Sequence, residues 1–177
     1  MNQYIIPFKG LKEGEHEFDF QIEDAFFEEY SLLEVLHGSV KTDVLLIKKN
    51  SFIELEVSMS GLLEVQCDRC LEPFEFSLEF HDTLYVKFKE EVEEPDDKVI
   101  FLHPNEDILD LNQYFIDCIG LSLPIQKIHP EDENGVEGCN PEMLKKIDEH
   151  SFQESNEETI DPRWSKLKDL FNDENIN

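Results

Sequence analysis

The chain has 177 residues, enough for one domain or one domain with an appendage. Forty per cent of it is hydrophobic and 14 residues are Phe, so it can bury a core and is not globally disordered. With 42 acidic against 15 basic residues the formal net charge is -27. That disfavours broad contact with a phosphate backbone, leaves room for a local basic patch, and suits either solubility or capture of a basic partner.

Residues Met1 to Gly10 lack the charged-then-apolar pattern of a secretory signal. No apolar run approaches the roughly 18 residues of a membrane-spanning helix. The expectation is a cytoplasmic protein with reduced thiols. Its cysteines, Cys67, Cys70, Cys118 and Cys139, then read as metal ligands or buried thiols, not as a disulfide framework.

The first third reads as strands. From His16 to Glu23, Phe18, Phe20 and Ile22 alternate with polar and acidic residues. Asp24 to Leu33 reads as a short helix and Val40 to Lys48 as a strand. Beyond the turn at Asn50 and Ser51, Ile53, Leu55, Val57 and Met59 alternate with Glu54, Glu56 and Ser58, the mark of a half-buried antiparallel strand. Gly61 reads as a bend or bulge. Phe74, Phe76, Leu78 and Phe80 resume the alternation, and Thr83 to Phe88 extends the ribbon. Cys67 and Cys70 therefore sit at the tip of a long hairpin, where both thiols can face one point. Lys41, Lys48, Lys49, Lys87 and Lys89 lie on these strands. They form a small basic patch or relieve acidic repulsion.

Glu90 to Asp97 is an acidic, proline-containing connector. Val99 to Leu102 reads as a short strand. The clearest helix follows. Asp110 caps it, Leu111, Tyr114, Phe115, Cys118 and Ile119 form one apolar stripe, and Gly120 stops it. Cys118 lies on that stripe and reads as a core thiol. Leu121 to Ile128 is extended, and Asn134 with Gly135 makes a turn. Asn140 caps another helix that opens at Pro141 and turns Met143, Leu144 and Ile147 inward. His150 to Thr159 is polar and acidic. A last helix has Asp161 as cap, Pro162 at its start, and Trp164, Leu167, Leu170 and Phe171 on its apolar face.

Two thiolates at a knuckle supply half of a tetrahedral zinc site. His129 and Cys139, in a loop rich in Pro, Gly and Asn, are the candidates for the other half. Cys67, Cys70, His129 and Cys139 would make a Cys₃His set, the composition of a closed structural zinc site. The spacing from His129 to Cys139 is wider than in zinc fingers, so two alternatives stay open. The pair can be ordinary surface residues beside a bare turn, or the CxxC can be a thiol switch. The switch is disfavoured because a strand, not a helix, follows Cys70. His16, His37, His81, His103 and His150 have no companion pattern. No phosphate-binding glycine loop, nucleophile elbow or HExxH pair is present, so no catalytic residue is nominated.

Three segments together resemble the YceD family of large-ribosomal-RNA accumulation factors. Val65-Gln-Cys67-Asp-Arg-Cys70-Leu-Glu-Pro73-Phe is similar to that family's cysteine signature. Asp110-Leu111 through Ile119-Gly-Leu-Ser-Leu-Pro124, with His129 and Cys139 beyond, is similar to its central segment. Asp161-Pro-Arg-Trp164 through Leu167 and Leu170 resembles its tail motif. The resemblance implies a role in accumulation of large-subunit ribosomal RNA. It supplies no catalytic residue, and it implies that any zinc is structural or dispensable.

The expected fold is α+β: a mostly antiparallel sheet or partly closed barrel from the first 100 residues, with two to three C-terminal helices packed on it. Residues 1–150 form the domain, 151–160 an acidic linker, and 161–177 a helix and tail. The leading functional expectation is a non-enzymatic ribosome-biogenesis factor. Its partner would be a basic ribosomal protein or a large-subunit precursor particle, with weak or no direct nucleic-acid binding and no membrane contact. The alternatives are a metal-dependent rRNA-processing hydrolase and a CxxC redox switch.

Overall fold

A computed structural model of the chain describes residues 4–30, 34–90, 98–131 and 138–151. In chain order the elements are β1 (Ile5–Ile6), β2 (Gly14–Ile22), α1 (Asp24–Glu29), β3 (Val35–Lys48), β4 (Phe52–Gln66), β5 (Pro73–Phe88), β6 (Val99–Leu102), β7 (Leu109–Asp110), α2 (Asn112–Ser122) and α3 (Pro141–His150). The class is α+β. One sheet has the order β2-β3-β4-β5-β6, and β1 pairs with β7 in a second, two-stranded sheet.

Three of the four pairings in the large sheet are antiparallel. The fourth, β5 with β6, is parallel. Period-two alternation drives the long strands. Ile53, Leu55, Val57, Met59, Leu63 and Val65 of β4 are buried on one face, while Glu56, Ser60 and Leu62 are exposed on the other. The buried face is covered by α1, α2 and the N-terminal residues Tyr4, Ile6 and Phe8, which join one contiguous core. The Tyr4 ring meets Phe20, Phe26 and Phe115 edge-on at 5.3–6.0 Å between centroids. Because this layer covers the inner face, the sheet needs no closure. Among the described residues β2 and β6 remain its edges, and there is no closed barrel.

Several boundaries differ from the sequence reading. The strand expected at Val40 begins at Val35, with an irregularity between Val35 and His37. Gly61 makes no bulge, since its register with Val40 is regular. It is glycine because a Cβ there would lie 2.2 Å from the Ser39 carbonyl oxygen. Gly120 does not stop α2, which runs on to Ser122. The stop is Pro124, which drives Leu123 into extended backbone at ψ 136°. The carboxylate of Asp110 accepts the Asn112 N–H at 2.9 Å, just ahead of the helix. α1 lies between β2 and β3, so not all the helices are C-terminal.

Two compact units divide the chain, Met1–Pro141 and Glu142–Asn177. Of the second only 142–151 is described. None of the residues of α3 is buried, and Ile147, expected to turn inward, is 41% exposed. The connector at 91–97, the turn at Asn134 and Gly135, the linker beyond Ser151 and the helix with Trp164 lie outside the described residues. No described helix is long and apolar enough to cross a membrane.

Candidate metal centre

The centre is built at the tip of the β4–β5 hairpin. Antiparallel register runs to Gln66 opposite Pro73, and the intervening residues fold back as a knuckle. The Cys67 N–H donates to the Glu72 carbonyl at 2.9 Å, and the Leu71 N–H donates to the Cys67 carbonyl at 2.9 Å. Leu71 takes the left-handed conformation at φ 65°, which reverses the chain so tightly that both thiols face the same side. The Gln66 side-chain amide donates to the Leu71 carbonyl at 2.9 Å and holds that reversal.

A second strip of chain, 123–131, crosses the knuckle. The Asp68 N–H donates to the Lys127 carbonyl at 2.7 Å, and the Lys127 N–H returns a bond to the Asp68 carboxylate at 2.7 Å. This ladder delivers His129, whose ring lies 4.8 Å from that of Phe74, centroid to centroid. Cys139 arrives just before α3. Beside it, a Cβ on Gly138 would press to 2.9 Å from the Pro130 carbonyl oxygen and 3.0 Å from His129 Cβ, so only glycine lets the chain pass. The Asn140 amide donates to the Glu72 carboxylate at 2.5 Å.

Residues far apart in sequence thus meet. Ligand atoms of Cys67, Cys70, His129 and Cys139 all lie within 4.8 Å of one another. Cys67 Sγ is 3.8 Å from Cys139 Sγ, Cys70 Sγ is 3.4 Å from His129 Nδ1, and Cys139 Sγ is 3.8 Å from His129 Nδ1. A tetrahedral zinc ion with bonds of about 2.3 Å to sulfur and about 2.0–2.1 Å to nitrogen sets ligand atoms about 3.8 Å (S to S) and about 3.6 Å (S to N) apart. The donor set fits in chemistry and in size. It could hold a metal ion through four protein ligands.

The electrostatics agree. Burial raises the Cys67 thiol, but backbone N–H groups of Cys70, Arg69 and His129 and the His129 ring outweigh it, bringing the group down to about 6. Cys139 goes the other way. Burial, reinforced by the neighbouring Cys67 and Cys70 sulfurs, pushes it up to about 11. Within the cluster one thiol is therefore easier to deprotonate than an ordinary cysteine and another harder.

The other nominated residues stay apart from this cluster. Cys118 is buried on α2, as the apolar stripe implied, and burial pushes its thiol up to about 12. His81 is exposed and meets Ser58 Oγ at 2.8 Å. Lys41 pairs with Asp43 at 2.8 Å and Lys49 with Glu54 at 2.5 Å. Lys48 donates to the carbonyls of Phe8 at 2.9 Å and Leu11 at 2.8 Å. These lysines neutralise carboxylates or tie down a loop. The residues that sequence reasoning missed are Asp68, Lys127 and Phe74, which shape the site without being ligands. Only the Asp inside the CxxC was a visible signal, and its partner is 59 positions away.

A search of curated proteins and a search of solved structures each returned no match. Residues 55–171 match the family model described as "Large ribosomal RNA subunit accumulation protein YceD". That span covers the cysteine knuckle, α2, His129, Cys139 and the Asp161-Pro-Arg-Trp164 segment, and by it the chain belongs to the YceD family.

Proposed function

We propose that this protein supports accumulation of large-subunit ribosomal RNA as a non-enzymatic cytoplasmic factor. In this reading it contacts a basic ribosomal protein, free or on a large-subunit precursor particle. Family membership carries the first half. The net charge of -27 supports the second, because an acidic body holds a basic protein more readily than a polyanion. The face of the sheet opposite the core has the matching sign. Glu15, Glu17, Asp19, Asp43 and Glu56 are exposed there, and Glu17, Asp19, Asp43 and Glu56 line one shallow depression.

In the same reading Cys67, Cys70, His129 and Cys139 hold one structural zinc ion. Four protein ligands close a tetrahedral shell, whereas a catalytic zinc keeps a position for water or substrate. The ion would cross-link the hairpin tip to the strip carrying His129 and Cys139.

The test is a native pull-down of the tagged protein from its own cells, with mass spectrometry and RNA analysis of the eluate. Large-subunit precursor rRNA with one or a few basic ribosomal proteins is the expected recovery. Their binding to the purified protein should weaken as salt rises, since exposed charges are screened beyond about 8–10 Å at 0.1–0.15 M. Recovery of metabolic enzymes alone, or binding indifferent to salt, would refute the partner assignment.

A further inference from the structure

We infer that Lys127 and Asp68 form a clamp that pre-forms the four-residue centre and governs how long it retains a metal ion; the inference rests on the reading of that cluster as a metal site. Asp68 sits between two of the ligands, Cys67 and Cys70, and Lys127 sits two residues before a third, His129. The two are joined by three contacts, and Lys127 makes a fourth to Glu34. Reciprocal backbone-level bonds of 2.7 Å run from Asp68 N–H to the Lys127 carbonyl and from Lys127 N–H to Asp68 Oδ2. The Lys127 ammonium also approaches Asp68 Oδ1 at 3.4 Å and Glu34 Oε2 at 2.8 Å.

The Lys127 side chain is only 11% exposed, unlike an ordinary surface lysine. It ties three stretches of chain together: Glu34 just before β3, the knuckle, and the strip bearing His129. Its charge also answers two carboxylates beside a cluster of sulfurs that must become anionic to bind a cation. Removing the ammonium would take that compensation away and would loosen the hold on the strip that carries His129. Asp68 and Lys127 are positioning residues here, since neither supplies a ligand atom to the cluster.

The experiment uses the full chain. Cobalt(II) is the spectroscopic probe of the ligand set, and zinc release to excess chelator is the kinetic readout. In Lys127→Met and Asp68→Ala the visible cobalt bands should match the wild type, because all four ligands remain. Zinc should leave about 10- to 100-fold faster, the loss of affinity typical when groups supporting a metal site are removed being read here as faster dissociation. Lys127→Arg, which restores the charge and the reach to both carboxylates, should recover slow release. Asp68→Asn is the milder variant should Asp68→Ala fail to fold. It keeps an acceptor for the Lys127 N–H and loses the charge, and an intermediate rate is expected. A remote destabilising change, Gly61→Ala, should leave release unchanged. Normal cobalt bands with wild-type release rates in the clamp variants would overturn the clamp alone. Equal acceleration by Gly61→Ala would also overturn it, since general loosening would then suffice. Absence of cobalt bands in the wild type would overturn the metal reading and the clamp with it.

Discussion

At the scale of single residues, the positions that matter most are those where backbone geometry leaves no choice. Gly61 is one. Its absent side chain lets β3 and β4 approach, with the Ser39 carbonyl 2.2 Å from where a Cβ would stand. That obstacle is backbone within a regular ladder and cannot rotate aside. Gly61→Ala should therefore cost about 2–3 kcal/mol, the upper part of the range for point substitutions, read as a lower urea midpoint with an unchanged m-value. Leu71 illustrates the opposite arrangement. It adopts the left-handed region without being glycine, and bonds from Gln66 and to Cys67 hold it there. The sequence identified the cysteines around it but not this backbone requirement, because Leu carries no local signal for positive φ.

At the scale of elements, α1 is short and depends on its neighbours. It has six residues and no side-chain cap, and it buries Phe26 and Phe27 against the core. Asp24 ties it to β3, accepting the Gly38 N–H at 2.9 Å and meeting His37 Nδ1 at 3.3 Å. The Gly38 N–H is the main reason the Asp24 carboxyl titrates below its ordinary value of 3.8, with His37 contributing in the same direction and burial opposing. A depressed acid stabilises the fold only while ionised. Its contribution is complete above the ordinary value and is lost as pH falls through the lowered one. The Gly38 amide resonance should thus titrate with a midpoint below 3.8, and Asp24→Asn should abolish that step. An amide that shifted at or above 3.8 would break the link.

At the scale of the molecule, the four-residue cysteine–histidine cluster lies outside the contiguous hydrophobic core and meets it through Phe74. Cys67, Cys70 and Cys139 are buried, yet none belongs to the contiguous core that runs from Tyr4 to Ile119. On the proposed zinc reading, removing the ion should therefore loosen one end and spare the sheet. On chelation, or in Cys70→Ser, amide exchange should rise across 67–72 and 123–131, while β3 and the middle of β4 stay protected. The thermal midpoint should fall as well, because a ligand that binds only the folded state stabilises it by about 4 kcal/mol when present at a thousand times its Kd. Collapse of protection throughout the sheet would mean instead that the centre and the core unfold as one.

What the amino-acid sequence determined by itself was whatever depends on local period and residue chemistry. Alternation specified β2, β4 and β5, the apolar stripe specified α2 and the burial of Cys118, and the CxxC between two strand-like runs put the thiols on a hairpin tip. The choice of His129 and Cys139 as companions was also legible, since few soft ligands stood in a region free to converge. The tertiary structure alone decided the relations between distant segments. The parallel placement of β6, the open sheet, the close approach at Gly61 and the Asp68–Lys127 ladder each join parts of the chain that share no local pattern. Hydrogen-bond partners across 59 residues are selected by which surfaces remain unsatisfied once the core has packed, and that selection is made only in the folded state.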